Sequence, residues 1–340
     1  MPITARRIIL PAIKHVEWDS LTLPDTLQPT EVRVRTARTL VSAGTEIAIY
    51  SGTHIGYSTP GSRYPRLPFR PGYVYTGTVE AAGDGVTAFK PGDRVVGGMG
   101  HQDRVVVDTA RGDLDLIPDG ITFEQACLAR ISTISLQGIR LARLSMGERV
   151  AVFGQGLIGQ FARQYAAIDG ASTLIGIDLI DTRLEVARRH GATHVVNPSR
   201  DDLRVAVAAA TEERGPEVVI EATGNPAAIT QALAVVARLG RVVLLGSPRG
   251  RLEIDPYHDI HSKGVSLIGA HANTVSPVAT PYYPWTLAEH RRLALQLTRQ
   301  GRLHTEGLIS HRVPAAEALP VWDALMNHQQ DYLGLIIDWS

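Results

Sequence analysis

The chain has 340 residues, enough for about two domains of ordinary size and a large buried core. Its 34 basic residues balance its 34 acidic ones, which argues against nucleic acid as a partner, because polyanion binding needs a broad positive field. A single cysteine, Cys127, excludes an internal disulfide and any multi-cysteine metal site.

No apolar run approaches the roughly 20 residues that span a bilayer, and residues 1–10 lack the apolar stretch and small-residue cleavage site of a secretory signal. The expectation is a cytoplasmic enzyme without a membrane partner.

Along the chain, the first third alternates short strands, such as 31–36 and 77–81, with glycine and proline turns including Pro91-Gly92-Asp93. From Thr122 the style changes to a helical stretch through Arg143 and then to β and α segments in turn. Strands are predicted at 149–153, 173–177, 194–197, 217–221, 241–245 and 265–270, with helical patterns between several of them at 160–168, 181–190 and 226–239. Six strands with helical crossovers predict an α/β fold with a doubly wound parallel sheet that takes its ligand at the carboxyl ends of the strands. An aromatic-rich loop follows to Trp285, then a helix over 287–300 and a tail whose strand 334–338 needs a sheet to join. The tail is therefore assigned to the first domain, giving 1–130 with 271–340 as one domain and 131–270 as the other.

The chemistry is concentrated where the strand 149–153 runs into Gly154-Gln155-Gly156-Leu157-Ile158-Gly159, followed by a second strand ending at Asp178. The first glycine permits a sharp strand-to-helix turn, the second lets backbone approach a pyrophosphate, and the third lets helix and strand pack closely. The helix start, at Leu157 and Ile158, offers N–H groups to phosphates. Asp178, nineteen residues after Gly159, is suited to accept hydrogen bonds from an adenosine ribose. This pattern predicts a dinucleotide site.

Further segments carry a resemblance over nearly the full length. They are Ala43-Gly44-Thr45-Glu46, Arg70-Pro71-Gly72-Tyr73-Val74, Pro91-Gly92-Asp93-Arg94-Val95, the glycine turn, Glu221-Ala222-Thr223-Gly224 and Gly246-Ser247. With these the chain resembles the medium-chain dehydrogenase/reductase superfamily, most closely its polyol and threonine dehydrogenase branch. The resemblance implies a GroES-like β domain with a six-stranded Rossmann domain, and hydride transfer between a nicotinamide dinucleotide and an alcohol or carbonyl. It adds Arg183, Thr223, Gly246, Ser247, Ala270 and His271 to the cofactor site. It also implies a homodimer or homotetramer, with strand 265–270 as the sheet edge that pairs across a two-fold axis.

The departures are as informative. In zinc-dependent relatives a cysteine, a histidine and often a glutamate hold a catalytic metal; the resemblance puts those positions at Ala43, Tyr73 and Arg130, with Val74 beside Tyr73. Alanine and valine have no donor atom, neutral tyrosine is a poor ligand and arginine carries a competing charge, so no metal is expected.

Two readings of the vacated position stand side by side. In one, Arg130 lowers the pKa of Tyr73, making the phenolate a base and the guanidinium a stabiliser of negative charge. In the other, Arg130 forms a salt bridge with Glu46 and fills the space structurally. Thr45 and His54 complete the catalytic candidates, His54 as a further base, while the family's relay histidine position reads Ala48.

Asp178 repels a 2′-phosphate and Arg183 reaches the ribose in the family, so NAD is favoured over NADP. The expected function is metal-independent oxidoreduction of a small polar secondary alcohol or ketone, such as a sugar, cyclitol or other polyol. The alternatives are an NAD(P)H-dependent quinone or activated-alkene reductase, and a catalytically silent dinucleotide-binding protein. The loop from His54 to Tyr73, with Tyr57, Arg63, Tyr64, Arg66 and Arg70, is either a binding surface for a polar or anionic substrate or a solvated face.

Overall fold

A computed structural model describes residues 3–340. In chain order the elements begin with β1 (Ile3–Ala12), β2 (His15–Leu23), β3 (Glu31–Val41), α1 (Ala43–Tyr50), α2 (Ile55–Ser58), β4 (Tyr75–Ala82), β5 (Arg94–Gly97), β6 (Arg104–Asp108) and β7 (Leu114–Leu116). The middle of the chain forms α3 (Phe123–Ala142), β8 (Arg149–Phe153), α4 (Leu157–Ile168), β9 (Thr173–Ile177), α5 (Asp181–Arg189), β10 (His194–Val196), α6 (Leu203–Ala210), β11 (Val218–Glu221), α7 (Pro226–Val235), β12 (Arg241–Leu244) and β13 (Ser266–Gly269). The last elements are α8 (Leu287–Arg299), β14 (His311–Pro314), α9 (Val321–Asn327) and β15 (Leu335–Asp338). Among the described residues no helix is long and apolar enough to cross a membrane.

Contacts divide the chain into two units, one of Met1–Arg130, Arg291–Arg299 and Ile309–Ser340 and one of Ile131–His290 and Gln300–Leu308. This corrects the expected return at residue 271: residues 271–290 and 300–308 make their contacts with the second unit. The reason is visible in Tyr283, whose hydroxyl bonds Gln137 on α3 and lies 3.2 Å from His290, and in Trp285, whose ring lies 3.9 Å under the Arg140 guanidinium.

The first unit is built on β3, which pairs antiparallel with β4, β6 and β15 in a seven-stranded sheet. Alternation along β3 buries Val32 and Val34 against Tyr75, Val79, Val95 and Val105, while a second core gathers around the fully buried Trp322 of α9. The hairpin of β1 and β2 and the helix α1 were not anticipated from sequence.

The second unit is an all-parallel sheet in the order β10-β9-β8-β11-β12-β13 with helical crossovers. Strands covered on both faces read as unbroken apolar runs, and Val150, Ala151 and Val152 are accordingly buried without remainder. Caps fix the helix starts. Asp202 accepts from the Arg204 and Val205 N–H groups at 3.0 and 3.1 Å, and Asn225 caps α7 with Pro226 as its first residue. The predicted helix over 226–239 stops at Val235 because the Ala237 N–H is claimed by the Pro216 carbonyl at 3.0 Å, which turns the backbone out of the helix. The chain order reverses between β8 and β11, the crevice position at which such sheets bind ligands.

Candidate functional site

In the second unit the turn from β8 into α4 is held by opposite requirements at two glycines. A Cβ on Gly159 would lie 1.7 Å from the Gly154 carbonyl oxygen, so the fold itself demands glycine there. A Cβ on Gly156 would meet nothing within 4 Å, and its backbone lies in an ordinary extended region, so nothing in the protein demands it. A bare Cα at the start of α4 is what an approaching pyrophosphate needs. Gly156 is the N-cap of α4, no side chain caps this helix, and its first turn with Leu157 and Ile158 carries no acidic residue, which leaves the helix's positive end available to an anion.

Asp178 ends β9 beside this turn. Its carboxylate accepts from the Gln155 N–H at 2.6 Å and the Ile180 N–H at 2.9 Å, which fixes both oxygens while leaving each a lone pair for a ribose hydroxyl. The Gln160 side chain donates to the Arg183 carbonyl at 2.8 Å and so ties α5 to α4; Arg183 lies in the field of Asp178, which opposes the lowering of its pKa by burial.

At the end of β11 the buried carboxyl of Glu221 accepts from the N–H and the hydroxyl of Thr223 and from the Gly224 N–H, and burial pushes its pKa above the usual carboxylate range. This turn sets Thr223 beside Gly246 and Ser247 at the end of β12. Ala270 is buried just after β13, its N–H on the Leu244 carbonyl at 3.0 Å, and His271 is exposed, with Nδ1 accepting from the Asn273 N–H at 3.1 Å.

In the first unit the candidate residues cluster at the start of α1. Ser42 is its N-cap, yet the Ser42 hydroxyl makes no capping bond; it bonds the Tyr73 hydroxyl instead. Glu46, one turn into the helix, reaches back so that its Oε1 accepts from the Ser42 N–H at 2.8 Å. Glu46 is buried, and its Oε2 accepts from Trp322 Nε1 at 3.2 Å and faces His101 Nε2 at 3.1 Å. His101 Nδ1 lies 2.8 Å from the Thr39 hydroxyl, which also accepts from Trp339 Nε1 at 2.9 Å. His101, Trp322 and Thr39 were missed from sequence, since their ring and hydroxyl groups are scattered over nearly 300 positions with no motif joining them.

Both expectations for Arg130 are corrected by this arrangement. Arg130 pairs with Asp113 at 2.6 Å, and Glu46 takes its bonds from Ser42, His101 and Trp322, so the expected salt bridge between Arg130 and Glu46 is not made. Nor does Arg130 activate Tyr73. Its charge acts on the phenol of Tyr75.

Burial pushes the Tyr73 phenol up to about 12, the nearby Glu46 carboxyl adds to the rise, and bonds from Ser42 and Thr45 only partly oppose it. The phenol of Tyr73 is therefore held in its protonated form, against the expectation of a phenolate. His54 caps the short helix α2, with Nδ1 accepting from the Gly56 N–H at 3.1 Å and its ring edge-on to Tyr64 at 5.3 Å.

Two family models match the chain, "Alcohol dehydrogenase GroES-like domain" over residues 28–122 and "Zinc-binding dehydrogenase" over residues 158–287. The chain carries the paired domains of a medium-chain dehydrogenase/reductase. It is similar to the sorbitol dehydrogenase of Bacillus subtilis, with 27% identity covering 73% of this chain and 76% of that one, and to the L-threonine 3-dehydrogenase of Anaeromyxobacter sp., with 28% identity covering 91% and 92%. An alcohol dehydrogenase structure from Thermus sp. ATN1 superposes with a TM-score of 0.79 at 25% identity, covering 98% of this chain and 99% of that one.

A zinc site in a medium-chain dehydrogenase/reductase needs three protein ligands and an open position. Ala43 and Val74 have no donor atom, the Tyr73 hydroxyl is bonded to Ser42 and protonated, and Arg130 is a cation held by Asp113. Glu46 and His101 face each other and are engaged with Ser42, Trp322 and Thr39. Among the described residues no group of three or more His, Cys, Asp or Glu side chains is placed to hold a metal ion. The residues present do not fit the metal that the second family model's description implies. They do fit a dinucleotide, on the evidence of the unrequired glycine at 156.

Because the Glu46 carboxyl satisfies three donors inside the protein, Glu46→Ala is expected to destabilise the chain by about 3 kcal/mol or more, read as a lower urea midpoint. A loss below about 1 kcal/mol would show that water replaces the carboxyl at little cost.

Proposed function

We propose that this protein is a metal-independent oxidoreductase that uses NAD(H) to interconvert a ketone and a secondary alcohol of a small polar molecule, of the sugar, cyclitol or polyol kind. The observation that carries this reading is the Ser42 hydroxyl, withdrawn from its helix and given to a protonated Tyr73. An N-cap hydroxyl spent on a phenol in place of its own helix supports a working site there, since local rules are most often broken at functional positions. The kinship with sorbitol and threonine dehydrogenases supports the reaction type.

When bound, the nicotinamide supplies or accepts the hydride. The chain's own part is the proton. Tyr73 donates its phenolic proton to the carbonyl oxygen as the hydride arrives at carbon, and the Ser42 and Thr45 hydroxyls hold the phenol in place and stabilise the charge it leaves behind. Asp178 supports NAD over NADP, since its carboxylate would stand against a 2′-phosphate. The exposed edge strand β13, with Leu267 partly in solvent, supports pairing of two copies edge to edge into a homodimer or a dimer of dimers.

Tyr73→Phe keeps the ring and removes the proton, so turnover is expected to fall by roughly 10²- to 10⁴-fold with NADH affinity unchanged. In the parent, because burial pushes the Tyr73 phenol up to about 12, carbonyl reduction should show no loss of activity assignable to this phenol as pH rises to 10. Near-normal turnover in the variant would move the proton transfer to His54, Glu46 or water.

Fluorescence titration should show tighter binding of NADH than of NADPH, with the preference lost in Asp178→Ala; equal affinities in the parent would show that Asp178 does not read the ribose. Elemental analysis and light scattering of one preparation are expected to give no stoichiometric zinc and a dimeric or tetrameric mass. A tightly held zinc, or a monomer at micromolar concentration, would overturn the corresponding part of this reading.

A further inference from the structure

The loop between α2 and β4 is packed, not loose. The Tyr64 ring stands edge-on to His54 at 5.3 Å and to Phe69 at 5.8 Å, and Phe69 exchanges both backbone hydrogen bonds with Leu10 at 2.8 Å. Gly56 lies so close to the Tyr64 carbonyl that a Cβ there would sit 1.9 Å from its oxygen. The Ser62 hydroxyl donates to the same carbonyl at 2.7 Å.

Residues 54–73 contain Arg63, Arg66 and Arg70 and no acidic residue. Elsewhere in this unit guanidinium groups are mostly committed, Arg7 to Asp19, Arg38 to Asp338, Arg130 and Arg291 to Asp113, and Arg312 to Glu124. Arg70 shares the field of Asp19, but among the described residues Arg63 and Arg66 are in no ion pair and both are exposed. Two like charges held on a packed loop with no counterion raise the local positive potential, which attracts and orients an anion.

The loop ends at the proposed proton donor, Tyr73, and its packing fixes Tyr64, next to Arg63, against His54 and Phe69. Tyr64, the residue between Pro65 and Arg63, has its hydroxyl in the field of Glu46 and Tyr57, and it in turn acts on Tyr73. Burial first, and then the Glu46 carboxyl, push the Tyr64 phenol upward. The Glu46 carboxyl is turned inward onto His101 and Trp322 and does not neutralise the arginines.

We propose that Arg63 and Arg66 bind the anionic group of the substrate, so that the ketone or alcohol converted at Tyr73 belongs to a molecule bearing a carboxylate or phosphate, such as a sugar acid or a sugar phosphate. This rests on the dehydrogenase reading above and narrows it. Planar guanidinium groups suit both anions, since each offers paired oxygens to a bidentate fork.

The test begins with inorganic phosphate, titrated calorimetrically with NADH saturating so that the glycine turn is occupied. Binding is expected in the parent and about 10-fold weaker in Arg63→Ser/Arg66→Ser, whose exposed positions leave the fold intact. Phosphate binding absent from the parent, or unchanged in the double variant, overturns the proposal whatever the turnover.

The second arm compares a neutral polyol, the matching sugar acid and the matching sugar phosphate. The value of kcat/KM for one of the anions should exceed that of the polyol, fall with added salt, and drop about 10-fold in the double variant through KM. The anion that responds identifies the group. Preference for the neutral polyol, insensitive to salt and to the double variant, overturns the proposal and leaves the dehydrogenase reading standing. No turnover of any of the three, with phosphate binding still lost in the double variant, supports the anion site and counts against the dehydrogenase reading alone.

Discussion

One buried carboxyl organises the first unit. Glu46 on α1 is met by a backbone N–H from its own helix start, by an indole from α9 and by an imidazole from the loop between β5 and β6, and that imidazole is braced by Thr39 on β3, which is held in turn by Trp339 after β15. A carboxyl removed from water must find donors, and here each comes from a different part of the chain. Satisfying it therefore fixes the relative positions of five segments at once. The seven-stranded sheet supplies the frame, but the place where α1 begins, and with it the address of Ser42, is set by this carboxyl.

The same interaction bears on the proposed proton donor. Glu46 holds the Ser42 N–H while the Ser42 hydroxyl, which makes no capping bond, bonds Tyr73. Burial of the ring first, and then the Glu46 carboxyl, hold the Tyr73 phenol in its protonated form. In a metal-dependent relative the cation at this position would stabilise an alkoxide. In the proposed reaction that service would fall to the Tyr73 phenol beside the Ser42 and Thr45 hydroxyls.

The second unit divides its glycines by purpose. Gly159 answers a steric demand inside the protein, and Gly156 answers none, so the sequence records at Gly156 the shape of something that approaches from outside. Asp178 is held by two backbone N–H groups from the same turn and from the start of the next helix, which is how a lone carboxylate at a strand end keeps a fixed direction. Binding and orientation are thus built from backbone, which tolerates wide variation in the side chains around it.

The sequence by itself determined the parallel sheet and the glycine turn of the second unit, though not the unit's C-terminal extent. Strands 149–153 and 173–177, the glycine turn and Asp178 are local patterns, since apolar runs, turn glycines and the spacing of one crossover involve neighbours in the chain. It also determined that alanine, tyrosine and arginine stand at positions 43, 73 and 130, and residue identity alone decides which donor atoms exist there. Tertiary structure decided the partners. Whether Arg130 meets Glu46 or Asp113, whether Tyr73 is a phenolate or a phenol, and whether residues 271–290 belong with the first or the second unit all turn on which distant side chains arrive together. His101 and Trp322 reach Glu46 across 55 and 276 positions. Pairings at such separation leave no periodicity or spacing to read, because the energy that selects them, the desolvation of a buried carboxyl, exists only once the chain has closed around it.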